Sequence, residues 1–295
     1  MQEERRIAAE TAIDDIPPRR RGRALRRMLD RPLTLAGAVI VLLFAAIALV
    51  GIFVTPRPPD ELIYTAVLAP PSHSYPFGTD DLGRDILSRI IAGAHISLMV
   101  GVVAIGVAMI IGAAFGLLAG YLGGWVDQII MRLMDIMLAF PDILLAIVII
   151  AILGPGLVNV IIAVGIGAIP VYTRTVRAAV LGVREQEFVE AARALGVSPW
   201  RIMRVHILRN VMAPIIVLAT LGVGLAILIA AGLSFIGLGA QPPTPEWGDM
   251  LNESQNYLQQ AWWMAVFPGT AITLTVVGLN LLGDGLRKML DPTIR

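Results

Sequence analysis

Long uncharged runs alternate with short polar segments along the chain. Six runs stand out: Leu33–Val54, Ser97–Tyr121, Ile136–Leu153, Leu157–Tyr172, Val211–Ile236 and Trp262–Leu282. Runs this apolar are read as membrane-spanning helices, because about 20 residues at ~1.5 Å each cross a hydrocarbon core of ~30 Å. The fourth run is the shortest and is glycine-rich. Without it, the two chain ends would lie on opposite sides of the membrane.

Charge gives the runs an orientation, since Lys and Arg favour the cytoplasmic side. With the N-terminus inside, the inner segments are 1–32, 122–135, 173–210 and 283–295. They hold every Arg and Lys except Arg57, Arg84 and Arg89. The outer loop after the fifth run, "GLGAQPPTPEWGDMLNESQNYLQQA", has acids and no base. The expectation is an all-α integral membrane protein with six transmembrane helices and both termini cytoplasmic. Its parts are a cytoplasmic Arg-rich tail (1–32), a first span (33–54), an external loop (55–96), a five-helix core (97–282) with an inner loop at 173–210, and a cytoplasmic C-terminal tail (283–295). Leu33–Val54 is long for a signal-peptide core and has no clean small-x-small cleavage site, so it reads as a retained span. Trp125, Trp247, Trp262 and Trp263 fall near the expected interfaces.

Composition agrees: 57% hydrophobic residues, 15% charged and a mean hydropathy of +0.77 exclude an ordinary soluble domain. There is no cysteine, and His73, His95 and His206 are too scattered to suggest a metal centre. No stretch fits a phosphate-binding loop, which needs G-x-x-x-x-G-K-[ST]; the only lysine is Lys288, in "DGLRKML". No catalytic constellation, cofactor site or nucleic-acid footprint is expected. The reading is a non-catalytic pathway protein.

Several features carry two readings. Ala104, Ala108, Gly112, Gly116 and Gly120 recur every fourth residue, a stripe suited to close helix packing within the bundle or to a subunit interface. Asp135 and Asp142 flank "IMLAFP" seven residues apart, on one helical face, and Pro141 is expected to bend or loosen the helix there; the two acids can serve a cytoplasmic gate, pair with an inner-loop arginine, or anchor a helix start at water level. Asn159, Asn280 and Asp284 read as local polar anchors. In the external segment Phe77–Arg89, the pairs Asp81/Asp85 and Asp85/Arg89 would be i,i+4 neighbours in a small ion-paired helix. Asp80, Asp81, Arg84 and Asp85 are also candidates for contact with an extracytoplasmic partner.

The inner loop has the clearest pattern. Glu185, Glu187 and Glu190 suit a helix start. Phe188, Ala191, Ala192 and Leu195 follow i, i+3, i+4, i+7, and Gly196 supplies a left-handed end. Ser198-Pro199 then starts a second helix. A helix of about ten residues is marginal alone, so a partner or the membrane surface must cover the Phe188/Leu195 face.

"EAARALG", followed nine residues later by "HILR", resembles the EAA signature of ABC importer permeases. Glu190, Ala191, Ala192 and Gly196 take the signature positions; His206 and Arg209 stand where the signature has isoleucine and proline. "FGTDDLGRDILSRIIAGAHISL" and "LSFIGLGAQPPTPEWGDML" are similar to the C-type permeases of dipeptide, oligopeptide and nickel importers. The resemblance covers nearly everything after the N-terminal tail. It implies a type I ABC importer permease fold for dipeptides or short oligopeptides, with nickel or glutathione as alternative cargo. It also implies a coupling helix formed by Glu187, Phe188, Glu190, Ala191, Ala192, Leu195 and Gly196, seated in an ATPase cleft. The implied partners are a homologous B-type permease, two ATPase subunits carrying ATP and Mg²⁺, an extracytoplasmic solute-binding protein and the lipid of a bacterial inner membrane. The competing classes are a secondary carrier, which should show inverted repeats or intramembrane ion sites, and a scaffold whose inner helix only recruits a soluble partner.

Overall fold

A computed structural model describes residues 31–290. Most of the 1–32 tail and the end of the 283–295 tail lie outside the described residues. The elements are α1 (Pro32–Val50), α2 (Ile86–Leu122), α3 (Gly124–Leu138), α4 (Asp142–Leu153), α5 (Leu157–Arg184), α6 (Glu187–Ala194), α7 (Pro199–Phe235), α8 (Trp247–Ser254) and α9 (Trp263–Leu290). Five of them are long and apolar enough to cross a membrane, and α3 with α4, bent by 91° at the break, makes a sixth if the pair counts as one span.

Pro141 causes the break. It has no N–H to continue the helix and it disfavours helical geometry at Phe140. The third span is therefore not one helix over Ile136–Leu153, and Asp135 and Asp142 do not share a helical face. Asp135 sits near the end of α3, and Asp142 opens α4. Gly123 and Gly124, at φ +66° and +54°, make the tight corner between α2 and α3, a conformation that disfavours side chains with a β-carbon.

The stripe on α2 packs inside the chain. Ala104 and Ala108 are fully buried, and a β-carbon on Gly112, Gly116 or Gly120 would meet Tyr172, Val176 or Val180 of α5 at 2.5–2.8 Å. On the other side, α1 lies against α9, where a β-carbon on Gly37 would meet Leu281 at 2.7 Å. Small residues thus set both close approaches, as expected where lipid gives helices no hydrophobic reason to associate.

Three helices extend beyond the apolar runs expected from the sequence. α2 begins at Ile86, eleven residues before Ser97, so its first turns belong to the stretch read as external loop. α5 continues past Tyr172 to Arg184. α7 runs unbroken from Pro199, so the second inner-loop helix and the fifth span are one 37-residue element. Within α7, Ile202–Ile207 is π-helical, a widened turn common at functional positions. Trp247 and Trp263 are buried within the chain: their indole N–H groups donate to Ile90 O and Thr79 O, each at 3.0 Å.

Candidate functional site

Three regions gather the residues singled out by sequence. The first is α6, whose first turn carries Glu187 and Glu190. Its C-terminus closes as a Schellman turn: Gly196 N–H donates to Arg193 O (2.9 Å) and Val197 N–H to Ala192 O (3.1 Å), with Gly196 at φ +74°. Val189 and Ala192 are buried in a cluster with Val180, Ile202, Ile207 and Val211. Ala192 therefore faces its own chain, unlike the shared face expected from spacing. Val189, which the pattern missed, is the better anchor; β-branched and three residues before Ala192, it faces the π-helical turn.

Glu187, Phe188, Glu190, Ala191, Leu195 and Gly196 remain exposed, with Leu195 at 83%. Trp200, at 66%, extends the apolar surface. The helix is thus held from one side by α7, with Phe188 partly open beside His206 of α7 (ring centroids 6.4 Å apart) and Leu195 fully open.

The second region lies inside the bundle. A mostly apolar cavity of about 180 Å³ opens between α2, α4, α5 and α7, lined by Asp142, Ala146, Tyr172, Leu218, Gly222 and Leu225 among others. Tyr172 O–H donates to Leu218 O at 3.3 Å. Among the described residues, Asp142 brings the only charged side chain to this lining. Asp135 pairs with Arg174 at 2.6 Å on an exposed surface, and Asp127 accepts both Nε and Nη2 of Arg177 at 2.5 and 2.6 Å. The inner-loop arginines therefore tie α3 to α5. Exposed pairs of this kind contribute about 0–1 kcal/mol each, so they orient α3 more than they stabilise it.

The third region is extracytoplasmic. Phe77–Arg89 is not a small helix: Thr79 and Asp85 form an isolated antiparallel bridge around a tight turn. The i,i+4 ion pair expected at Asp85/Arg89 is not made, and the i,i+4 pair that forms instead is Asp80/Arg84. Arg84 Nε donates to Asp80 Oδ2 at 2.5 Å and Arg84 Nη2 to Glu253 Oε1 at 2.8 Å; Arg89 Nη2 donates to Glu253 Oε2 at 3.2 Å. Asp85 caps α2 instead, accepting Ser88 N–H at 2.9 Å and Ser88 O–H at 2.6 Å. Glu246 caps α8, accepting Asp249 N–H at 3.0 Å, and takes Ser97 O–H at 3.1 Å. Burial lowers the pKa of Arg84, but the Asp80 and Glu253 carboxylates outweigh that and hold it above the usual arginine value. Sequence separation hid Glu253, which lies 169 residues from Arg84.

Residues 112–295 match the family model for the binding-protein-dependent transport system inner membrane component. Residues 20–71 match the N-terminal TM domain of oligopeptide transport permease C. The chain is an ABC importer permease and belongs to the C-type subunits of the dipeptide and oligopeptide transporter family.

Its curated relatives include the dipeptide transport system permease DppC of Alkalihalophilus pseudofirmus, 49% identical over 92% of this chain and 90% of the relative. The di/tripeptide permease DppC of Pseudomonas aeruginosa is 47% identical over 88% of each chain. The glutathione permease GsiD of Pectobacterium atrosepticum is 45% identical over 92% and 90%. Among solved structures, the inward-facing methionine ABC transporter MetNI shares the fold at a TM-score of 0.56 and 20% identity, covering 68% of this chain and 96% of that one. The chain is a multi-pass, non-catalytic permease subunit with the type I importer fold.

Proposed function

We propose that this permease forms half of the translocation pathway of an ATP-driven importer for dipeptides or short oligopeptides in a bacterial cytoplasmic membrane, with both termini inside. Cargo is proposed from the relatives named for dipeptide and di/tripeptide transport. A homologous B-type permease supplies the other half, two ATPase subunits bind ATP and Mg²⁺, and a solute-binding protein delivers cargo. The GsiD relatives support a second reading, in which the cargo is the tripeptide glutathione.

The observation that carries the coupling role is the two-sided packing of α6. Val189 and Ala192 fix it to the π-helical start of α7, while Phe188 and Leu195 remain open to a soluble partner. Movement of an ATPase cleft would pass through α6 into α7 and tilt the wall of the cavity. For such a transition, the ATPase contacts must differ in free energy between inward- and outward-facing states.

The test is purification of this chain from native membranes in mild detergent, followed by reconstitution of the recovered complex. Copurification of a second permease and P-loop ATPases, with ATP-dependent dipeptide uptake, is expected. Uptake that proceeds without ATP, by the chain alone, would favour the carrier reading. Within the complex, Glu190→Arg reverses charge at the docking edge and is expected to abolish uptake while the variant still inserts. Normal ATP-driven uptake by that variant would remove the case for α6.

A further inference from the structure

Beside the Arg84–Glu253 clasp lies a polar pocket of about 270 Å³, lined by Asp81, Gln241, Asp249, Asn252, Glu253 and Tyr257 among others. Among the described residues its carboxylates are unevenly matched. Glu253 holds both buried arginines, whereas Asp81 is only 3.9 Å from Arg84. Asp249 is 2% exposed, and its Oδ2 has no hydrogen-bond partner. A buried, unpartnered carboxyl oxygen is costly, and a native fold keeps one where something else completes it.

The lining suits a cation with several N–H donors. Gln241 directs its amide N–H donors to Gly237 O and Gly239 O, both at 3.2 Å, which leaves its carbonyl oxygen as an acceptor. Asp81 and Asp249 add carboxylate acceptors, and Tyr257 adds an aromatic wall on which a guanidinium can stack. Described residues include no cluster of three or more His, Cys, Asp or Glu arranged to hold a metal ion. The volume fits one side chain. Across the two external segments, 55–96 and 237–262, carboxylates outnumber arginines, so a basic surface is attracted here before contact.

We propose that this pocket receives a lysine or arginine side chain of the extracytoplasmic solute-binding protein, with Asp249 and Asp81 as the paired carboxylates. This rests on the importer reading and gives it a defined docking point. Burial, with Glu253 and Glu246 nearby, pushes the Asp249 carboxyl up to about 7. A docked cation would bring it back down and release its proton.

The experiment titrates ATPase stimulation of the reconstituted complex by its solute-binding protein loaded with Ala-Ala. Asp249→Asn and Asp81→Asn are expected to raise the half-maximal concentration about tenfold, with a smaller change in the maximum and a shallower salt dependence. Nα-acetyl-arginine amide, a free copy of the basic side chain, is expected to compete with the wild type. Unchanged titrations in both variants would overturn the pocket while leaving the importer intact. Equal competition by excess free Ala-Ala would place the peptide's own ammonium there and overturn the binding-protein side chain. A wild-type complex that no binding protein stimulates would fail at the importer reading itself.

Discussion

Gly196 holds a left-handed backbone with open space around its α-carbon, so a substitution there tests conformation alone. Gly196→Ala is expected to cost about 1 kcal/mol locally, loosening α6 without steric conflict. Gly196→Pro is more severe, because proline fixes φ near −65° and removes the N–H bonded to Arg193. Uptake by reconstituted complexes is expected to fall modestly for alanine and to be lost for proline, with ATP hydrolysis uncoupled from transport. Equal uptake by wild type and both variants would count against the Schellman turn as part of coupling. Gly196 was readable from sequence because left-handed geometry selects its residue type. The inward role of Val189 was not, because "EFVEAARAL" has apolar positions on two faces and only the fold decides which one the chain buries.

Asp249 gives a second residue-scale prediction. Its carboxyl titrates near 7 in the fold against an ordinary 3.8, chiefly through burial. Between those values the folded chain keeps a proton that the unfolded chain has lost. This contribution to stability is therefore full at low pH and is lost as pH rises through 7. Asp249→Asn is neutral throughout, so its Tm in detergent is expected to gain on the wild type as pH rises from about 5 to about 8. Parallel Tm profiles would show that Asp249 is already neutralised by a partner.

At the scale of elements, α2 against α5 is the contact on which the bundle depends most visibly. A β-carbon at Gly116 would lie 2.6 Å from Val176 Cβ and 2.7 Å from Thr173 O, whereas one at Gly106 meets nothing within 4 Å. Gly116→Val should force the helices apart, at a cost of roughly 1–3 kcal/mol or more. Gly106→Val should be nearly neutral. Size-exclusion profiles and Tm of the two variants check this; similar behaviour would mean that α5 can back away from α2. The four-residue period made this interface legible without a structure. The α3–α4 bend was half legible: Pro141 announced a disturbance, but hydropathy alone could not distinguish a kinked span from two helices at 91°. The outer turns of α2 were hidden for another reason. Ile86–Ile96 includes Arg89 and His95, so polarity argued for loop, while the buried pairing of Arg89 with Glu253 allowed helix.

For the whole molecule, five long helices and one broken span fit the six-span expectation, and the family match fixes their role as a permease. Orientation is the remaining global prediction: a reporter fused after Arg295 should read cytoplasmic. An external signal would invert the α6 argument, because its exposed face would then meet no ATPase. The external clasp was the least legible part, since it joins residues near 84 to residues near 253 across most of the chain.

The shortness of α4 bears on how the protein is made. Its 12 helical residues cover about 18 Å, well under a bilayer core of ~30 Å, and α3 meets α4 nearly at a right angle. Too short to span alone, α4 relies on α5, which follows it directly and packs beside it. The third span is therefore expected to enter the bilayer together with α5, as one half of a hairpin, rather than alone.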